Sequence, residues 1–120
     1  MKTQKELFEN LSPTSTLPEI QNYINKVLTL RGFSNQTAQD KLLLLIEEVR
    51  EIAKSIRKSS AGASVDWERL KNYESVESEI ADVLIVLISI ANKLNIDIFQ
   101  YLKEKEKTNI NLVNFKLIKN

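Results

Sequence analysis

The sequence predicts an all-α fold: a four-helix bundle preceded by a short extra N-terminal helix. Three observations carry this expectation. Only two glycines and two prolines occur in 120 residues, too little punctuation for a many-turned β fold. Long stretches keep apolar residues at helical spacing. Two of these stretches, residues 42–53 and 76–94, are apolar enough for a core yet are interrupted by carboxylates at helical intervals.

Residues 2–10 form a weak helical stretch anchored by Leu7 and Phe8, and residues 12–15 with Pro13 break it. Thr16-Leu17-Pro18-Glu19 reads as a capping box with proline in the first turn. Ile20, Ile24, Val27 and Leu28 then keep helical spacing, with Tyr23 on their flank, and Gly32 closes the helix. Ser34 or Thr37 opens a long third helix to about Lys58. Residues 59–64, with Gly62, read as a loop within a connection over 59–74. The only tryptophan, Trp67, falls in this connection, either covering the core or serving base stacking or a subunit contact. Asn72 or Ser75 opens the fourth helix, which ends near Asn95, a residue tolerant of left-handed geometry. Asp97 with Gln100 resembles another capping box and opens a fifth helix from about Ile98. That helix is expected to fade after Asn109 into a tail over 110–120, because Asn111 and Asn114 are poor helix formers. Residues 1–120 read as one domain with residues 1–15 as an N-terminal segment, and no internal repeat is present.

Composition narrows the chemistry. A net charge of +1 argues against an extended nucleic-acid footprint, which carries a basic excess. The chain has no cysteine and no histidine, which excludes disulfides, thiolate or imidazole metal ligands and a histidine base. Any metal must be held by oxygen, which points to magnesium or manganese, with calcium also compatible. No signal-peptide pattern and no charge-free apolar span of ~18 residues is found; the expectation is a cytoplasmic protein without membrane or nucleic-acid partners.

On a wheel of about 100° per residue, Leu42, Leu45, Val49, Ile52 and Ile56 form one stripe. Glu48 lies on its edge, Glu51 a little further round the same flank, and Glu47 beyond both, towards solvent. In the second stretch Val76, Val83, Val86, Leu87, Ile90 and Leu94 form the stripe, with Glu79 inside it and Asp82 on its flank. Packing stripe to stripe would gather at least four carboxylates at one edge of the contact. Ionised carboxylates at a half-buried seam cost several kcal/mol each unless a positive charge joins them, and a divalent cation answers this. A ferritin-like di-iron bundle needs a Glu-x-x-His pair on two helices, which a histidine-free chain lacks. A helical scaffold whose acids meet Lys41, Lys54, Lys105 and Lys107 is the other reading.

The run Leu45-Ile46-Glu47-Glu48-Val49-Arg50-Glu51-Ile52-Ala53, followed by Glu79-Ile80-Ala81-Asp82-Val83-Leu84, resembles the MazG family of the all-α NTP pyrophosphatase superfamily, whose pattern is Glu-Glu-x-x-Glu, a spacer, then Glu-x-x-Asp. Residues 90–97 and the pair Lys105 with Asn109 resemble the segments that follow, so the likeness spans roughly residues 17–110. It implies magnesium-dependent hydrolysis of a nucleoside triphosphate to the monophosphate and pyrophosphate, in nucleotide-pool housecleaning. By position, Glu48, Glu51, Glu79 and Asp82 would hold the metal, and Glu47 would orient or deprotonate the attacking water. Lys105 and Asn109 would contact phosphate oxygens. The likeness also implies a homodimer or a dimer of dimers with sites at subunit interfaces.

Three positions depart from the family pattern. Arg50 stands where a small residue is usual, Ile110-Asn111-Leu112 stand where arginine often follows the asparagine, and the N-terminal region lacks the aromatic and histidine features some relatives use for the base. Base specificity therefore stays open. A dUTP or dCTP pyrophosphatase, a phosphoribosyl-ATP pyrophosphohydrolase, and a non-catalytic helical interaction protein with a vestigial metal site are the alternatives.

Overall fold

A computed structural model describes residues 2–59 and 75–118 of the chain. Its helices are α1 (Gln4–Glu9), α2 (Leu17–Leu30), α3 (Ala38–Ser59), α4 (Val76–Lys93) and α5 (Ile98–Ile118), and no strand occurs among the described residues. The all-α expectation holds. Trp67 and the 60–74 part of the expected connection lie outside the described residues.

Local chemistry sets the helix ends. Thr16 and Glu19 form the reciprocal capping box of α2, with the Glu19 amide donating to Thr16 Oγ1 at 3.2 Å and the Thr16 amide to Glu19 Oε1 at 3.3 Å. The same device opens α3 with aspartate in the third position: the Asp40 amide donates to Thr37 Oγ1 at 3.1 Å, and the Thr37 amide to Asp40 Oδ2 at 3.0 Å. Ser75 caps α4 by accepting from the Ser78 amide at 3.1 Å. Asp97 accepts from the Gln100 amide at 3.3 Å, the half of its expected box made by the aspartate.

Two helices end in Schellman motifs. At the end of α2, Gly32 has φ 87°, and the amides of Gly32 and Phe33 donate to Thr29 and Leu28 carbonyls. At the end of α4, Asn95 takes φ 57°, and the amides of Asn95 and Ile96 donate to Asn92 and Ala91 carbonyls. By contrast, α5 does not fade after Asn109 but runs to Ile118. The propensity deficit of asparagine, about 0.7 kcal/mol per residue at most, is too small to stop a helix already nucleated.

α3 packs along α4 most extensively; α2 lies on α4, α1 on α2, and α5 on α2. Among the described residues the buried apolar ones are Ile24 and Val27 of α2 with Ile88 and Ala91 of α4. Gln21 is the polar tie between these elements. Its Nε2 donates to Asn92 Oδ1 at 3.0 Å and to the Ile96 carbonyl at 2.9 Å. Its Oε1 accepts from the Ile98 amide at 3.0 Å, while its carbonyl accepts from Asn92 Nδ2 at 2.9 Å.

The face of α3 turned inward differs from the expected stripe. Lys41 and Ser55 are buried, and Leu44, Leu45, Glu48 and Ile52 are half-buried; Leu42, Val49 and Ile56 of the expected stripe are exposed. On α4, Leu87 is exposed while Ile88 is buried, and Leu94, the residue that caps the helix end, is exposed. The radius of gyration, 18.4 Å, exceeds the roughly 14 Å of a compact 120-residue domain. The chain thus leaves apolar helix faces uncovered.

Candidate metal centre

Glu48 lies midway along α3, while Glu79 and Asp82 lie one turn apart in the N-terminal part of α4. Because α3 packs along α4, the three meet: one carboxylate oxygen from each lies within 4.8 Å of the others. Glu79 is buried, and Glu48 and Asp82 are half-buried. Oε2 of Glu79 is enclosed and takes no hydrogen bond from the described residues, though the residue keeps other interactions. Glu79 also sits in the first turn of α4, where the helix dipole favours an anion.

The other acids of the motif stand apart from this group. Glu51, one turn beyond Glu48, is half-buried and pairs with Lys54, Nζ to Oε1, at 3.6 Å. Glu47 and Arg50 are exposed. Lys105 and Asn109 are exposed on α5, which packs against α2, and Asn109 Nδ2 donates to Glu106 Oε2 at 2.6 Å. Within one chain, then, three of the four expected metal ligands converge, while the expected phosphate contacts remain on a separate helix.

Of the lysines weighed as partners for the acids, Lys54 meets Glu51, whereas Lys41 donates to Gln36 Oε1 at 3.5 Å. Burial and the nearby Lys93 ammonium lower the Lys41 pKa. Lys41 and Lys93 lie on helices far apart in sequence, so no local pattern of the sequence pairs them.

Three carboxylate oxygens at half-buried to buried positions make an all-oxygen donor set, suited to a hard divalent cation. Two of them come from one helix at i, i+3 and the third from its neighbour, so no loop has to order for them to meet.

Residues 36–109 match the family model of the MazG nucleotide pyrophosphohydrolase domain, a span that contains all seven residues weighed above as metal ligands, base and phosphate contacts. No curated protein is matched by the chain. The family match covers more than half of the 120 residues and agrees with an all-helical bundle that gathers Glu48, Glu79 and Asp82. By that match and that architecture, the chain belongs to the MazG nucleotide pyrophosphohydrolase family.

Proposed function

We propose that the protein is a magnesium-dependent nucleoside triphosphate pyrophosphohydrolase, converting a ribo- or deoxynucleoside triphosphate to the monophosphate and pyrophosphate. The observation that carries this reading is the convergence of Glu48, Glu79 and Asp82 within 4.8 Å, inside the family-matched span.

Glu48, Glu79 and Asp82 would hold the metal, with Glu51 joining them. The Glu51–Lys54 pair is part-exposed and worth about 1 kcal/mol or less, so a cation can recruit Glu51. A bound divalent cation, magnesium or manganese in its place, supplies charge neutralisation for the phosphoryl oxygens and acidifies water.

The chain's residues do the rest. Glu47, exposed and next to Glu48 in sequence, takes a proton from the attacking water. Oxygen of that water bonds to the α-phosphorus as the bond to the α–β bridging oxygen breaks, and pyrophosphate leaves. Carboxylate is a competent base where no histidine exists. Lys105 and Asn109 bind phosphate oxygens; Lys105 supplies a point charge and Asn109 an amide donor once released from Glu106.

Assembly completes this picture. Leu42, Ile46 and Val49 of α3 and Ile80, Leu84 and Leu87 of α4 are about half exposed or more in the single chain, an extent of apolar surface typical of an interaction face. A homodimer, or a dimer of such dimers, would cover it. The cellular role is housecleaning of the nucleotide pool in the cytoplasm.

The test is pyrophosphate release across ribo- and deoxynucleoside triphosphates, with and without magnesium. Metal-dependent release with a monophosphate product is expected. Silence across the panel from folded protein would reject this substrate class in favour of a phosphoribosyl substrate or a non-catalytic helical partner.

A further inference from the structure

The same seam that gathers carboxylates at one end gathers lysines at the other. Lys41 precedes Glu48 by two turns on α3, and Ser89 follows Asp82 by two turns on α4, which places the lysine end about 10 Å along the seam from the acids. There a cavity of about 290 Å³ opens, lined among others by Thr29, Ser34, Lys41, Ser89, Asn92 and Lys93.

The hydrogen bonding of this cavity leaves cationic donors in surplus. Lys41 is only 6% exposed, and its one hydrogen bond is a long one, 3.5 Å to Gln36 Oε1. Lys93 Nζ reaches the Ser34 carbonyl at 3.4 Å. Among the described residues, neither ammonium meets a carboxylate within ion-pair distance. The neighbouring hydroxyl of Ser89 already donates to the Val86 carbonyl at 2.7 Å, that of Thr29 to the Asn25 carbonyl at 2.9 Å, and the Asn92 amide is committed to Gln21. Each ammonium carries three protons, so after its one long hydrogen bond each lysine still has two charged donors for a ligand. A buried ammonium beside a second one raises the energy of the fold unless an anion offsets it.

We infer that this cavity binds a phosphate-class oxyanion, either free inorganic phosphate or the phosphate of a nucleotide, held between Lys41 and Lys93. Two ammonium-bearing side chains lining one cavity match the double charge and the several acceptor oxygens of such an anion. The pocket stands apart from the carboxylate group, so its occupancy needs no metal and no turnover.

The experiment is thermal unfolding of the full chain in chelator-containing buffer, with inorganic phosphate titrated against chloride at fixed ionic strength. Saturating phosphate should raise Tm of the wild type by about 5 °C at a tenfold excess over Kd. Lys41→Met and Lys93→Gln should each weaken phosphate binding at least about tenfold. Lys93 is exposed, so its variant tests the pocket even if Lys41→Met folds poorly. Adenosine monophosphate, tested alongside, separates the sources: a tighter lysine-dependent shift than with phosphate assigns the site to a nucleotide, and a weaker one to the free ion. No phosphate shift in the wild type, or an equal shift in both variants, overturns the proposal. So does a dimer that Lys93→Gln dissociates without any effect of phosphate, since a second copy then fills the pocket.

Discussion

Lys41 and Leu42 are sequence neighbours with opposite environments: the lysine is 6% exposed and the leucine 50%. Each heads a heptad line along α3. Lys41, Glu48 and Ser55 face inward, while Leu42, Val49 and Ile56 face out. Inward polarity and outward apolarity are reversed from a solitary amphipathic helix. The outward line accordingly fits an interface. Val49→Asp should halve the hydrodynamic mass seen by analytical ultracentrifugation while leaving helical ellipticity intact, because the residue makes little of the single chain's core. An unchanged mass would reject the outward line as the proposed subunit contact.

Glu48→Gln and Glu79→Gln should each abolish the rise in Tm that magnesium brings and reduce turnover by two or more orders of magnitude. Both variants should keep the helical ellipticity of the wild type. Glu47→Gln should keep the magnesium shift and lose rate by about 10²–10⁴-fold, the range of a general base. Full activity in both Glu48→Gln and Glu79→Gln would defeat the site assignment.

Lys41 gives a pH dependence of known sign. Its folded pKa is lowered by burial and by Lys93, so between the folded value and the ordinary 10.5 the unfolded chain binds more protons. Stability therefore rises with pH through that window. In anion-free buffer, wild type should gain stability relative to Lys41→Met as pH climbs towards 10.5. Parallel pH profiles of the two proteins would contradict this.

Asp40 acts in the opposite direction. Hydrogen bonds from the Thr37 amide and then its hydroxyl hold its carboxyl below the ordinary 3.8. The capping box thus contributes stability above that ordinary value, and the contribution is lost as pH falls through the lower folded one. Thr37→Ala should cost about 1 kcal/mol in urea denaturation near neutrality. The Tm difference between wild type and Asp40→Asn should close in strong acid; a constant difference would mean the carboxylate is not the source.

Gln21→Leu should destabilise the fold by about 3 kcal/mol in denaturant titration, because Asn92 Oδ1, the Ile96 carbonyl and the Ile98 amide lose their partners together. A change under ~0.5 kcal/mol would show that water replaces the side chain without penalty.

Helix ends were legible in the sequence because each is decided within four residues. Thr16 with Glu19, Gly32 and Asn95 do in the structure what their chemistry dictates. The meeting of Glu48 with Glu79 and Asp82 was legible too, since i, i+3 spacing and the invasion of two apolar stripes survive a rotation of either helix by one position. Which heptad line of α3 turns inward was not legible. With apolar residues on both candidate faces, a wheel cannot separate a core face from one left exposed. The lysine pocket escaped because Lys41 and Lys93 belong to different helices and share no local pattern. The length of α5 was misjudged by giving weak propensities more weight than helix propagation.

The Gln21 side chain also acts as the root of a lever. By gripping the Ile98 amide it fixes the direction in which α5 leaves the bundle, and Lys105 and Asn109 then ride about 10 and 16 Å out along that arm. A tilt of about 10° at the root would swing Asn109 by nearly 3 Å, beyond the tolerance of a hydrogen bond. One amide on α2 therefore sets the aim of two side chains that it never touches.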